Sequence, residues 1–384
     1  MVLNLQSKMD LNCFKNSYQD ARAAFKKSLR LIDQNLIIDS FEFQHPLKDP
    51  AGVDLFCDVV FLSQSPQPSN VLVLISGTHG IEGFTGSAVQ IDSLPLLNTL
   101  LKTQPDLGIV LIHALNPWGF AWLRRCDHEG IDLNRNFIDF SQPLPENNDY
   151  KALQTKLNHT KWQNKSDLSE LWTGEDFPSF VAKITQGQYS DAKGLYYGGQ
   201  QPSWSQRLLN KVCVHKFITQ AKHLSVIDVH TGLGPYGYGE VINDHTPNTK
   251  GFEWAKQLYG HNGCAALLGE SCSAPKLGLL DYYWHKVIGD RGCFITLEYG
   301  TYAVESLISE LIKEQIYHNG LAPNQPRDLN AEAVVNLKTF FYPYEISWQQ
   351  QVLFRARQII SLALLGLPGL LELSTKTQQA SVHE

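Results

Sequence analysis

The chain has little of what marks several large classes of protein. No uncharged apolar run in its 384 residues approaches the roughly 20 residues that span a bilayer. Its first ten residues also contain no apolar stretch long enough for a secretory signal. The formal net charge of −6 leaves no basic excess that would neutralise phosphates. We therefore expect a cytoplasmic protein whose partners include neither membrane nor nucleic acid.

Paired cysteines are also lacking. The seven cysteines are odd in number and scattered, and no Cys-x-x-Cys forms a zinc ribbon or a redox pair. We expect them to be reduced. Cys126 follows two arginines, but a nucleophile there would need a nearby base and a lowered pKa. We interpret it as a small buried side chain, as most free cysteines are.

Apolar patterning predicts an α/β domain without internal repeats. Apolar residues spaced by three and four predict an amphipathic helix over 15–33, and a second helix is predicted over 84–100. Strands are predicted for the runs rich in Val, Ile and Leu, at 53–62, 71–76, 108–115, 224–230 and 292–299. The last two are nearly continuous, as expected for strands covered by helices on both faces.

The remaining segments complete a single domain over 1–373. Residues 138–202 are rich in Pro, Asn, Gln, Gly and aromatics, and we interpret them as an insertion near the functional site. A helix is predicted from Ser203, a possible N-cap, to about His223, and a closing helix from Trp348 to about Leu365. Residues 374–384 form a polar tail.

Residues with metal-binding chemistry follow the ends of the predicted strands. His79 and Glu82 form a His-x-x-Glu pair after the strand at 71–76, and His230 ends the strand at 224–230. Open α/β sheets bind ligands at these strand ends. Zinc accepts imidazole and carboxylate ligands, and a catalytic site keeps three protein ligands with one open position. We therefore predict one zinc ion per chain at these three residues, with a core or capping histidine as the alternative for His79.

The order of these motifs along the chain resembles that of a known group of enzymes. After His79 and Glu82 come two arginines, the Asp-x-Asn-Arg segment 132–135, His230 and finally Glu298. This order resembles the zinc carboxypeptidases of the M14 superfamily, which also contains the succinylglutamate desuccinylase and aspartoacylase branch. The core resemblance covers roughly residues 55–305. The whole chain, with Gly-Leu-Tyr-Tyr-Gly-Gly at 194–199, resembles the DUF2817 branch. Such proteins imply a mixed, largely parallel sheet with helices on both faces.

The resemblance also implies roles around the metal. Asp132 corresponds to the carboxylate that receives the second ring N–H of a metal-bound histidine, although it is also placed to cap a turn. Asp228 is a weaker candidate for the same role. Glu298 corresponds to the general base, a role that favours a pKa moved toward neutrality. A structural salt bridge is the alternative for Glu298.

The resemblance also implies which residues contact the substrate. Arg125 corresponds to the arginine that stabilises the oxyanion, and its neighbour Arg124 is either the true match or a solvent-facing residue. Asn134 and Arg135 correspond to the pair that binds a substrate carboxylate, which suits the planar guanidinium. The carboxypeptidases also supply a mobile tyrosine, and no motif selects among the four tyrosines in the corresponding region, Tyr236, Tyr238, Tyr282 and Tyr283.

These residues predict a zinc-dependent enzyme that hydrolyses an amide bond beside a free carboxylate. The substrate is either a small peptide, as for a carboxypeptidase, or an N-acyl amino acid, as for a deacylase of the aspartoacylase type. A non-catalytic carboxylate-binding protein is the rival from another class. A complete ligand set together with a base argues against that rival, because a receptor needs no proton transfer. The sequence leaves the oligomeric state open.

Overall fold

The computed structural model describes residues 9–165, 167–273, 276–322 and 325–368. Across these ranges, no helix combines the length and the apolar composition that a membrane span requires. The predicted polar tail at 374–384 lies outside the described residues.

The described residues form eight strands and twelve α-helices. The strands are β1 (Ile37–Lys48), β2 (Asp54–Ser63), β3 (Asn70–Ser76), β4 (Leu107–His113), β5 (His223–Gly232), β6 (Gly239–Asn243), β7 (Gly263–Ala265) and β8 (Gly292–Gly300). The helices are α1 (Tyr18–Leu29), α2 (Gly83–Thr103), α3 (Pro117–Ala121), α4 (Asn148–Leu157), α5 (Phe177–Thr185), α6 (Trp204–Cys213), α7 (Lys216–Thr219), α8 (Lys250–Tyr259), α9 (Leu280–Ile288), α10 (Val304–Gly320), α11 (Glu332–Phe341) and α12 (Ile346–Gly366).

All eight strands belong to one mixed sheet. Its order is β1-β2-β4-β3-β5-β8-β6-β7. The four central strands β4, β3, β5 and β8 are parallel, while β2 and β6 pair with them in antiparallel fashion. The parallel centre gathers the carboxyl ends of β3, β5 and β8 at one edge of the sheet. This mixed, largely parallel sheet confirms the predicted fold class.

Helices cover both faces of the sheet, as predicted. Along β3, Leu72 and Leu74 contribute to one buried cluster, which also contains residues of α1, α2, α10, α11 and α12. Val73 and Ile75 point to the opposite face, where α6 and α9 complete a second cluster. Because both faces of β3 are apolar, its sequence reads as a continuous hydrophobic run.

Most predicted elements match the structure within a few residues. The five predicted strands correspond to β2, β3, β4, β5 and β8, and the two long predicted helices correspond to α2 and α12. The first helix is shorter than the predicted 15–33, because Ser17 caps its start by accepting a hydrogen bond from the Asp20 amide. Residues 138–202 contain α4 and α5 between turns and short 3-10 helices.

Two expectations need correction. The helix predicted to run to about His223 ends at Cys213, and a new short helix α7 follows, capped by His215. His223 instead begins β5 and pairs with Asn70 of β3, so the segment is part of the sheet and not of the helix.

The strands β1, β6 and β7 were not predicted. β1 has mostly exposed or half-buried residues, and β6 and β7 contain only five and three residues, so none shows a long apolar run.

The cysteines behave as expected within the described residues. All seven are free, without a disulfide. Burial raises the pKa of Cys126 to about 12, which makes its thiolate inaccessible at neutral pH. The interpretation of Cys126 as a buried side chain is confirmed.

Candidate metal centre and substrate pocket

The turn after β3 delivers two of the predicted metal ligands. Gly77 opens this turn in the left-handed region with a φ of 67°, and His79 precedes a 3-10 helix that contains Glu82. The turn is held close to α3, because a Cβ on Gly80 would lie 2.1 Å from the carbonyl carbon of Gly119. The backbone amide of Ile81 also donates to the Arg124 carbonyl at 2.9 Å. These contacts fix the direction in which both side chains leave the turn.

The third predicted ligand arrives from a neighbouring strand. His230 lies near the end of β5, where it pairs in register with Glu298 of β8. His79, Glu82 and His230 are all buried, and one ligand atom from each lies within 4.8 Å of the others. The three residues that the sequence proposed from distant segments are thus brought together.

Asp228 orients the ring of His230. The Nε2 of His230 lies 2.6 Å from Asp228 Oδ2, while its Nδ1 lies 3.1 Å from Glu82 Oε2. Thr78 Oγ1 donates to both carboxylate oxygens of Asp228, which holds that carboxylate in place. Although burial disfavours a charged ring, Asp228 and Glu82 raise the pKa of His230 above its usual value.

Asp132 has a looser contact with the other histidine. His79 Nδ1 lies 3.5 Å from Asp132 Oδ1, and this buried nitrogen has no hydrogen-bond partner in the described part of the chain. Asp132 Oδ1 also accepts from the Asn134 amide at 3.0 Å, so the turn-capping alternative describes a real contact. Burial would raise the pKa of Asp132, but Arg125 and Arg135 hold it below its usual range.

The donor set fits a zinc ion. Two imidazoles and one carboxylate are the ligand types that zinc accepts, and each histidine has a carboxylate beside its other ring nitrogen. Because Nδ1 of His79 lies on the Asp132 side, the nitrogen that would face an ion is Nε2, which lies 2.7 Å from Arg125 Nη2. Burial and the neighbouring Arg125 lower the pKa of His79, which favours the neutral form that a metal requires.

Arg125 lies against these same groups. Its Nη1 donates to Glu82 Oε1 at 2.9 Å, its Nη2 lies 2.7 Å from His79 Nε2, and its Nε donates to Asp132 Oδ2 at 3.1 Å. The guanidinium therefore binds the candidate ligands within the lining of the pocket. Although burial opposes its charge, Asp132 and Glu82 raise the pKa of Arg125.

Arg124 is placed differently from both expectations. It is only 1% exposed, and its guanidinium donates to the Glu314 carboxylate and to Gln315 Oε1 of α10. Arg327 joins the same carboxylate at 2.6 Å. Arg124 does not belong to the pocket lining and does not face solvent, because the buried Glu314 requires a cationic partner. Its predicted contact with substrate is corrected to a buried ion pair.

Asn134 and Arg135 both line the pocket. The Oδ1 of Asn134 accepts from the Leu280 amide at 3.0 Å, which orients its NH2 group away from that amide. Arg135 is 1% exposed, and its Nε donates to the Thr185 carbonyl at 3.0 Å. The guanidinium is thus held directly by backbone carbonyls, and the nearby Asp132 interacts with its charge without forming an ion pair among the described residues.

Glu298 has the surroundings of an acid-base group. Its Oε1 accepts from the Leu233 amide at 2.9 Å, and the residue is 8% exposed within the pocket lining. Burial and the nearby Glu82 carboxylate raise the pKa of Glu298 to about 7. Lys276 and Arg125 are both close enough to interact with the charge of Glu298, so the salt-bridge alternative stays open.

Comparison with known proteins identifies the family. The family described as a protein of unknown function, DUF2817, matches residues 14–355. The chain belongs to the DUF2817 family. This confirms the branch to which the sequence was assigned. No curated protein matches the chain by sequence.

Solved structures similar to this DUF2817 protein share little sequence with it. A carboxypeptidase A from Helicoverpa armigera has 12% identity and a TM-score of 0.43, with 85% of this chain and 73% of that chain covered. A metallo-carboxypeptidase from Pseudomonas aeruginosa has 13% identity and a TM-score of 0.39, covering 91% and 70%. An aspartoacylase family protein from Mesorhizobium loti has 12% identity and a TM-score of 0.37, covering 74% and 68%.

The pocket of the DUF2817 protein also contains a residue that no motif singled out. Tyr196 lines it with a φ of 54°, a backbone conformation that is rare for an aromatic residue and is often found at functional sites. The guanidinium carbons of Arg125 and Arg135 lie 5.7 Å and 5.3 Å from its ring centroid. Tyr196 belongs to the segment 194–199, which carries the resemblance to the DUF2817 branch. No motif in that segment assigned a role to the tyrosine.

The four tyrosines considered from the sequence do not line this pocket. Tyr236 donates to Glu345, Tyr282 to the Lys276 carbonyl and Tyr283 to Asn210. Tyr238 is 44% exposed. Three acidic or basic residues that the sequence did not indicate, Asp244, Lys276 and Asp281, do line it.

Proposed function

We propose that this protein is a zinc-dependent hydrolase that cleaves an amide bond beside a free carboxylate. One observation carries the proposal: the buried His79, Glu82 and His230 group opens onto the same pocket as Glu298 and Arg135. Metal-ligand, base and carboxylate-binding chemistry thus meet in one cavity. Any one of these groups alone would have a structural explanation.

The proposed metal ligands are His79, Glu82 and His230, with Asp228 and Asp132 orienting the two rings. A zinc ion held there supplies polarisation of the scissile carbonyl and lowers the pKa of water toward about 7. Glu298 accepts the proton of the attacking water and later donates it to the leaving amine. Its carboxylate is suited to both directions because its pKa is raised to about 7. The Leu233 amide holds Oε1, which leaves Oε2 for the transfer.

Arg135 and Asn134 orient the substrate in this proposal. The Arg135 guanidinium binds the free carboxylate next to the scissile amide, and the Asn134 NH2 group donates to the same carboxylate. The proposed oxyanion contact of Arg125 requires its guanidinium to turn from Glu82 and His79 toward the pocket, because it now donates to both. Such a turn keeps Arg125 within the pocket that it already lines.

A peptide substrate is the primary proposal, and an N-acyl amino acid is the second candidate. The second is favoured by α5 and the segment that follows it, because Val181, Thr185 and Tyr196 line the pocket and narrow the room for a long chain. Both candidates share the ligands, the base and the carboxylate site. They differ in how much substrate lies on the acyl side of the scissile bond.

A hydrolysis screen tests the proposal directly. Zinc-reconstituted protein is incubated with dipeptides, longer peptides and N-acyl amino acids, each as the free acid and as the C-terminal amide. We expect hydrolysis of free acids that requires the metal and is lost with a chelator. Glu240→Gln is the matched control for Glu298→Gln, since Glu240 is buried and pairs with Glu298 across the sheet but lies outside the pocket. Binding of free acids without any turnover would instead support a carboxylate-binding protein.

A further inference from the structure

Two buried carboxyl groups lie in the pocket and have no part in the proposed chemistry. Asp244 follows the last residue of β6, and Asp281 lies in the first turn of α9. They are 5% and 2% exposed, and both belong to the pocket lining. Two buried acids side by side are costly unless a donor or a cation is close to them.

The strand register places Asp244 at the inner end of the pocket. On β6 and β8, Glu240 pairs with Glu298 and Ile242 pairs with Thr296. Asp244 follows β6 directly and lies two residues beyond Ile242, on the side away from the level of Glu298. Its backbone is therefore farther along the sheet from the strand ends than that of the proposed base.

The pocket lining also contains apolar side chains. Ile242, Leu279, Leu307, Ile308 and Phe341 line the pocket together with Thr296. An aliphatic stem packs well against such side chains, while a polar group at its tip would meet the carboxyl groups. The pocket therefore combines apolar and acidic surfaces that suit a side chain with an apolar stem and a polar tip.

The charges at the inner end favour a cation. Lys276 is near Asp244 and lowers its pKa, but burial dominates and raises the pKa of both Asp244 and Asp281. Asp228 raises the pKa of Asp281 further, while His230 lowers it. The Oδ2 of Asp281 is buried and receives no hydrogen bond from any donor in the described ranges. That oxygen can be satisfied by a proton shared with Asp244 or by a donor that enters the pocket.

We propose that Asp244 and Asp281 form a specificity site for a cationic side chain, the ammonium of lysine or the guanidinium of arginine. This side chain belongs to the residue whose free carboxylate binds Arg135, so the inference rests on the proposed function. The bound cation replaces the shared proton and gives Asp281 Oδ2 a donor. Two carboxyl groups then face two cations, Lys276 and the substrate group.

A different assignment would use Lys276 together with Arg135. These two cations are close enough for Arg135 to lower the pKa of Lys276. A substrate with a second carboxylate would suit such a pair. We favour the cationic side chain because Lys276 already has Asp244 beside it, whereas Asp281 Oδ2 has no donor. Preference for an acidic side chain is therefore an outcome that contradicts the proposal.

The test compares substrates that differ only in the side chain beside the free carboxylate. Lysine, arginine, norleucine, glutamine and glutamate are placed at this position of one blocked dipeptide and of one N-acyl amino acid. We expect kcat/KM for lysine or arginine to exceed that for norleucine by about 10-fold to 100-fold, as for a charged hydrogen bond. Equal rates for lysine and norleucine, or a preference for glutamate, would overturn the proposal.

Variants separate specificity from folding. Asp244→Asn and Asp281→Asn should each lower kcat/KM for the lysine substrate by about 10-fold or more and leave the norleucine substrate nearly unchanged. Asp58→Asn is the matched control, since Asp58 is buried and paired with Arg22 outside the pocket. An equal loss for both substrates in the pocket variants would show that the pair is structural. If a variant does not fold, the substrate preference of the parent protein still tests the proposed cation site.

Binding distinguishes this inference from the proposed function. Calorimetry measures free lysine, arginine, norleucine and glutamate on the parent protein and on Glu298→Gln. If no compound is hydrolysed, the proposed hydrolase is wrong, while tighter binding of lysine than norleucine still supports the cation site. If hydrolysis occurs without any preference for lysine or arginine in rate or binding, the hydrolase stands and the cation site is wrong.

Discussion

At the scale of single residues, Glu298 combines burial with a position beside the candidate ligands. We expect Glu298→Gln to retain the metal and the fold and to lose about 10²-fold to 10⁴-fold in kcat, the usual range for a general acid or base. In the parent, the base works only when ionised, so burial, which raises its pKa to about 7, should make kcat/KM rise with pH through that value. Rapid kinetics over pH 5 to about 9 measure both effects. A variant as active as the parent would place the base elsewhere.

Arg135 is the residue that separates a carboxylate-directed enzyme from a general amidase. Its guanidinium lines the pocket and is held by the Thr185 carbonyl rather than by an acid. We expect Arg135→Ala to weaken kcat/KM for a free-acid substrate by about 1.5 to 3 kcal/mol and to change the amidated substrate little. The comparison of both substrates with both proteins isolates the pairwise contribution. Equal losses for the two substrates would make Arg135 a structural residue.

At the scale of elements, the turn around Tyr196 positions two arginines. The guanidinium carbons of Arg125 and Arg135 lie 5.7 Å and 5.3 Å from the centroid of its ring, and its backbone has a φ of 54°. We expect Tyr196→Leu to raise KM, because it removes two cation–π contacts worth about 1 to 2 kcal/mol together. Tyr196→Phe keeps the ring and should retain the parent's KM. A phenylalanine variant as damaged as the leucine variant would show that the hydroxyl, not the ring face, is required.

The turn between β3 and α2 depends on close backbone approach. A Cβ on Gly80 would lie 2.1 Å from Gly119 and 2.3 Å from the Phe120 amide nitrogen. We expect Gly80→Ala to lower the free energy of unfolding by about 1 to 3 kcal/mol and to weaken metal binding, because His79 and Glu82 lie on this turn. Urea unfolding and metal analysis measure the two effects. Gly320→Ala is the control, since nothing lies within 4 Å of a Cβ there.

At the scale of the whole molecule, metal binding should couple to folding. We expect about one zinc ion per chain and a gain in unfolding free energy of about 2.7 kcal/mol when free zinc is a hundredfold above its Kd. His79→Ala and His230→Ala should each lose both the ion and the gain. His223→Ala, at the opposite end of β5 from His230, should lose neither. Elemental analysis and calorimetry measure these quantities, and unchanged metal content in the first two variants would remove the basis of the zinc proposal.

Much of the fold follows from local patterns in the sequence. The central strands β3, β4, β5 and β8 are buried on both faces, so each appears as an apolar run that can be read without a partner. The edge strands β1 and β7 and the short β6 beside β7 were not predicted. β1 is only partly covered, and the other two are stabilised mainly by pairing with strands already present. Pairing of that kind leaves no periodic signal in a short segment.

The candidate site also contains residues that the sequence identified and residues that only the fold brought together. His79, Glu82, His230 and Glu298 could be named from the sequence, because each follows or ends an apolar run and a parallel sheet collects such ends at one edge. The inner wall could not be named in this way. Asp244 and Asp281 come from segments that meet only when β6 and α9 pack against the same cavity.

Arg124 and Arg125 show most directly what the tertiary structure decided. The two are neighbours with the same chemistry, so the sequence could not choose between them. In the folded chain, Arg124 forms an ion pair with Glu314, 190 residues later in the sequence. Arg125 forms ion pairs with Glu82 and Asp132. A buried cation is stabilised only where an opposite charge is buried with it. The sequence by itself determined which elements form and which chemistry they carry, whereas the pairing of buried charges depended on contacts that exist only in the folded chain.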